Sequence, residues 1–140
     1  MGDITKELVA LAMASLELAA DSIEKKGLPL KPFIVVEKDG ERVRHEVKYD
    51  DVAEGRVEAS RFAGTHTDAD RVASVIDGFV TFNGDLSEGI VVEVADVGAT
   101  VSHLVGVQYE IKSRLLKKTG MVLDHKPALM GVGSGFPAPA

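Results

Sequence analysis

The spacing of apolar positions predicts two helices. Apolar side chains recur at helical spacing over residues 4–26, and no charged residue interrupts the middle of this stretch. Gly27 predicts where the helix ends, because glycine readily adopts the left-handed conformation that closes a helix. A weaker apolar stripe predicts a second helix that begins at Asp50 or Asp51, either of which can cap it, and ends at Ala63.

The first helix carries two adjacent apolar stripes, although a helix on one side of a sheet needs only one. One interpretation is that the helix is shared between subunits, with Leu8, Leu11, Met13 and Leu16 as the candidate interface residues. The other is that the C-terminal segment of the same chain covers the second stripe. The sequence alone favours neither.

Alternating apolar and polar positions predict the strands. Residues 32–37 and 41–49 flank Asp39-Gly40, which is a turn signal because type I′ turns need positive φ at both central positions. In the second of these strands, Val43 and His45 alternate with charged residues, which predicts one buried and one solvated face. Further strands are predicted at residues 71–82, 89–97 and 101–111, with a short last strand at 121–123.

The predicted order of elements is α-β-β-α-β-β-β, with a short helix over residues 67–76 as the alternative to the start of the third strand. Short links between strands predict a mostly antiparallel sheet with the helices on one face, which is an α+β fold. Residues 4–126 are predicted to form a single domain. Residues 127–140 are rich in Gly, Pro and Ala and are predicted to be a C-terminal tail.

Two resemblances bear on the fold. The order of elements resembles that of profilin-like and roadblock-like domains, an arrangement that implies a single strand between those carrying His45 and His103, roughly 10 Å apart. The segment DGFVTFNGDLSEGIVVEVAD, residues 77–96, resembles a strand-turn-strand pattern in uncharacterised bacterial proteins. That resemblance implies no active-site residues, so it bears on the fold and not on the function.

Composition narrows the classes of function. The chain has 140 residues and no cysteine, which excludes disulfides, thiolate zinc sites and thiol catalysis. A net charge of −6 argues against nucleic-acid binding, which needs clustered Lys and Arg. The apolar run near the N-terminus is too short for a membrane span and follows acidic Asp3 and Glu7 rather than basic residues. We therefore expect a cytoplasmic protein without a membrane partner.

Few residues suggest chemistry. His66, Asp68 and Asp70 form a His-x-Asp-x-Asp cluster that is a weak metal candidate, and a polar loop is the favoured interpretation. The inward His45 and His103 could line a cavity, although structural histidines are favoured. Glu93 lies among valines, and we expect an exposed strand face rather than a buried acid. No catalytic residue and no cofactor is predicted.

Three functions remain. The favoured hypothesis is a non-enzymatic structural or protein-interaction module that acts as a homo-oligomer, with self-association or another protein as the partner. One alternative is a small enzyme with a His/carboxylate site, acting with or without a metal. The other is a sensor domain that binds a small molecule between the sheet and a helix.

Overall fold

The computed structural model describes residues 4–26, 30–48, 52–65, 68–82, 85–114, 117–123 and 128–133. Within the described ranges the chain forms α1 (Lys6–Lys26), β1 (Phe33–Lys38), β2 (Glu41–Glu46), α2 (Val52–Thr65), β3 (Arg71–Phe82), β4 (Asp85–Asp96), β5 (Ser102–Arg114), β6 (Lys117–Leu123) and β7 (Ala128–Gly133). The strands form an antiparallel sheet in the order β2-β1-β3-β4-β5-β6, and β7 also pairs with β5. The predicted α+β class and antiparallel sheet are confirmed.

The two helices cover opposite faces of the sheet, so the prediction that both lie on one face is wrong. Phe33 and Val35 of β1 share a buried cluster with α1, whereas Ile34 and Val36 share one with α2. Successive side chains of a strand point to opposite faces, and each helix therefore takes one face. The apolar residues on both faces of β1 demand this arrangement, because a bare apolar face would be exposed to water.

One stripe of α1 packs on the sheet. Leu8, Leu11 and Leu16 are buried in the core of their own chain, at 3%, 0% and 2% exposure. These three interface candidates are therefore corrected to core residues. The fourth candidate, Met13, lies with Val9 on the outer side of the helix, where each is about 40% exposed (40% and 41%).

The first hairpin has the predicted turn. Asp39 and Gly40 both have positive φ, at 52° and 81°, as a type I′ turn requires. The register follows from the two-residue turn: Lys38 pairs with Glu41, and Glu37 pairs with Arg42. On its other side β1 pairs with β3, so the hairpin forms one end of the sheet with β2 outermost.

The C-terminal region contains the predicted short last strand, which begins earlier than predicted and spans Lys117–Leu123, and one further strand that was not predicted. Residues 109–114 of β5 pair with β6, and residues 102–106 pair with β7. The interpretation of residues 127–140 as a tail is therefore corrected for Ala128–Gly133, which are part of the sheet. Residues 71–76 belong to β3, which confirms the strand and excludes the helix alternative.

No helix in the described ranges is long and apolar enough to cross a membrane.

Candidate functional site

The outer strand β2 is the least covered strand among those whose side chains are described. Its residues are exposed or half-buried throughout, whereas five of the six residues of β1 are buried. Val43 was predicted on a buried face, yet it is 53% exposed. The reason is its position: within the described sheet β2 has a neighbouring strand on one side only, and α2 reaches just one part of its face.

The side chains of β2 divide between the two faces. Val43 and His45 pair with Val36 and Ile34, which lie on the α2 face, and Glu41 shares that face by alternation. Arg42 and Arg44 project to the α1 face. The strand therefore presents a partly apolar row on one side and a basic row on the other.

The basic row is tied to the body of the protein. The Nε of Arg42 donates a 2.7 Å hydrogen bond to the carboxylate of Glu37. The guanidinium of Arg44 lies over the ring of Phe33, 3.9 Å from its centroid, and donates a 2.7 Å hydrogen bond to the hydroxyl of Ser22. Both cations are thus directed onto their own chain, away from the outer edge of the sheet.

Glu37 is a buried acid that the sequence interpretation missed. It is only 3% exposed and accepts hydrogen bonds from Arg42 and, at 2.7 Å, from Arg71. The hydrogen bond from Arg71 raises the pKa of that guanidinium, and Asp96 adds a second ion pair to it at 3.2 Å. The available signal was the two-residue turn, which places residue 37 directly opposite residue 42.

A groove of about 540 Å³ lies on the α2 face beside β2. His45 lies at 4.8 Å from the ring centroid of Phe62, at the side of the groove where α2 ends. Across it, the Nζ of Lys38 forms a 2.5 Å ion pair with Asp68, whose hydrogen bond raises the pKa of the lysine. The groove is lined by Val36, Lys38, Asp39, Glu41, Val43, His45, Asp68 and Ala69.

The two described aspartates of the candidate metal cluster contact different partners. Asp68 pairs with Lys38, whereas the carboxylate of Asp70 accepts a 2.9 Å hydrogen bond from the backbone N–H of Asp39. His66 lies outside the described residues. In the part of the chain that the structure describes, no group of three or more His, Asp or Glu residues is arranged to hold a metal ion.

His45 and His103 are not brought together. Three strands, β1, β3 and β4, lie between β2 and β5, so the single intervening strand implied by the profilin-like arrangement is wrong. The two histidines also lie on opposite faces of the sheet. His103 is only 4% exposed, and its Nδ1 has no hydrogen-bond partner among the described residues.

Glu93 is buried rather than exposed, which corrects the favoured expectation. It is 1% exposed, and its Oε2 accepts a 2.5 Å hydrogen bond from the hydroxyl of Ser102. Ser74, its register partner on β3, is also buried. The signal that predicts this burial is the apolar character of both faces of β4, which marks a strand covered on each side.

A second groove, of about 840 Å³, lies where β2 ends and α2 begins. It contains three basic and three acidic side chains, so it has no dominant charge. Its lining consists of Lys31, Pro32, Glu46, Val47, Lys48, Glu54, Glu58 and Arg61.

Comparisons of this chain with protein-family models, with curated proteins and with solved structures find no match. The resemblance of residues 77–96 to bacterial proteins therefore stays a prediction. The candidate site rests on the geometry of β2 and the groove beside it.

Proposed function

We propose that this chain is a self-associating protein-interaction module and that its contact surface is the outer edge of β2. The observation that carries the proposal is the exposed position of this strand: in the described sheet β2 pairs only with β1, on one side. A strand in that position presents a row of backbone N–H and C=O groups that can pair with another strand.

The side chains of β2 support pairing with a strand of similar kind. Val43 projects from the middle of the strand with 53% of its surface exposed, so a partner strand would remove apolar surface from water. Charged residues on an edge strand ordinarily oppose such pairing. Here Arg42 and Arg44 are bonded to Glu37 and Ser22 of their own chain, which lowers that opposition.

A second copy of the chain is the partner that this surface fits best. Homo-oligomers most often form through two-fold contacts in which the same patch serves both subunits. Two copies of β2 placed antiparallel would extend the sheet across both chains. The resulting interface would contain paired backbone groups, the two Val43 side chains and flanking charges of both signs.

Sedimentation velocity over a range of protein concentrations tests this function. We expect a species of twice the 14.9 kDa chain mass that dissociates on dilution. Val43→Asp should abolish it, because each copy would bring a charged carboxylate into the contact in place of its exposed apolar side chain. Val57→Asp is the matched control, because Val57 is more exposed, at 66%, but lies on α2 rather than on β2.

Two results would contradict the proposal. One is a wild-type protein that sediments as a monomer up to high micromolar concentration. The other is a dimer that survives Val43→Asp. Far-ultraviolet circular dichroism of each variant should match that of the wild type, which keeps loss of association separate from loss of folding.

A second candidate function is binding of a small molecule in the groove beside β2. Its volume of about 540 Å³ lies within the range of ligand pockets, and its lining combines three apolar with five polar or charged side chains. Native mass spectrometry of the purified protein separates the two functions. Added mass on a monomer would favour the ligand, and a dimer without added mass would favour self-association.

A further inference from the structure

We infer that two copies pair antiparallel through β2 with Val43 directly opposite Val43, an inference that rests on the self-association proposed above. The starting point is symmetry. Antiparallel strands related by a two-fold axis within one sheet have that axis perpendicular to the sheet. The α1 face of one copy is then continuous with the α1 face of the other.

This symmetry restricts the register. Directly opposite residues in an antiparallel pair project to the same face, so a residue of the α2 face can meet only another residue of that face. The axis must then pass between two copies of one residue. We call that residue the centre of the pair, and the length of β2 narrows the choice of centre. A centre at Val43 or Arg44 places five residues of each strand in the pair, whereas a centre at Arg42 or His45 places only three.

Exposure distinguishes the two remaining centres. A centre at Val43 covers the most exposed apolar side chain of the strand with its own copy and sets Glu41 opposite His45 twice. It also sets Arg42 opposite Arg44, but these guanidiniums are held by Glu37 and by the ring of Phe33. A centre at Arg44 would set Arg42 opposite Glu46 twice, but it would place two arginines against each other on the axis and pair Val43 with His45. We therefore prefer the centre at Val43, because only there does the exposed valine meet another apolar side chain.

Disulfide trapping with single introduced cysteines tests the register, because the chain has no cysteine of its own. Opposite Cα atoms of antiparallel strands are about 4.5–5.5 Å apart, which lies within the span of a disulfide. Under mild oxidation, Val43→Cys should give a covalent dimer on a non-reducing gel. Arg44→Cys and His45→Cys should give little, and Val57→Cys on α2 reports the background from random collisions.

The outcomes separate the register from the self-association itself. Faster trapping by Arg44→Cys than by Val43→Cys, or no trapping above the Val57→Cys background while the wild type sediments as a dimer, would overturn the register and leave self-association standing. A monomeric wild type in sedimentation would overturn both.

A charge exchange gives an independent test that needs no cysteine. Glu41→Lys should weaken the dimer roughly tenfold, because it removes a hydrogen-bond acceptor that faces each imidazole and puts an ammonium group in its place. Adding His45→Glu in the same chain should restore the affinity, since a lysine and a glutamate would then face each other in each of the two pairs. Restoration supports the centre at Val43, and failure of the second change to restore the dimer would overturn it.

Discussion

The two strands of the first hairpin are joined by a two-residue turn, yet they differ in almost every physical respect. β1 lies between β2 and β3, and both of its faces are covered, one by α1 and the other by α2. Among the strands that the structure describes, β2 has one neighbour, and an exposed valine lies at its centre. The comparison teaches that the hairpin separates two roles: β1 stabilises the fold, and β2 offers the surface on which we base the function.

The largest effect that we expect from a substitution in this hairpin is a loss of stability, caused by a change in β1. Phe33→Ala should lower the free energy of unfolding by about 3–5 kcal/mol, because Phe33 is completely buried and the change leaves a cavity. Urea denaturation measures the effect. Val43→Ala in β2 is the control, and it should change stability by less than about 0.5 kcal/mol, as surface substitutions do. Equal losses in the two variants would contradict the assigned roles.

A smaller effect is expected at the polar end of β1. Glu37→Ala should lower the free energy of unfolding by roughly 2 kcal/mol, less than the cost of breaking a fully buried pair. The cost is reduced because Arg42 and Arg71 are partly exposed and water can solvate them. Thermal unfolding monitored by circular dichroism measures it. Glu46→Ala, in an exposed position on β2, is the control, and a Glu37→Ala protein as stable as this control would exclude a stabilising ion network.

The comparison can be sharpened by measuring both stability and association for Val43→Asp and for Phe33→Ala. Val43→Asp should leave the unfolding transition of the monomer nearly unchanged while it removes the dimer. Phe33→Ala should lower the free energy of unfolding and leave the dimer intact under conditions in which the chain stays folded.

The sequence predicted the elements better than their arrangement. Asp39-Gly40 predicted the turn correctly because the conformation of a two-residue turn depends on two adjacent residues. The order of strands depends instead on which edge β3 joins after α2 crosses the sheet, and no local pattern encodes that choice. The placement of helices on both faces was signalled by Ile34 and Val36 beside Phe33 and Val35, since a strand that is apolar on both sides needs two covers.

The candidate site was harder to predict for the same reason. Val43 has the alternation of a half-buried strand, and only the outermost position of β2 explains its exposure. Glu93 lies instead on a strand whose two faces are both apolar, and the central position of β4 explains its burial. Position within the sheet is a non-local property, and the expected exposure was wrong for both residues.

Hydrogen–deuterium exchange at two protein concentrations tests the central claim most directly. At a concentration where the dimer forms, we predict slower exchange of backbone amides in residues 41–46 than at a dilution where the monomer prevails. The amides of residues 33–38 should exchange equally slowly at both, because their partners lie within one chain. Exchange in residues 41–46 that does not depend on concentration, under conditions in which sedimentation shows a dimer, would contradict association through β2.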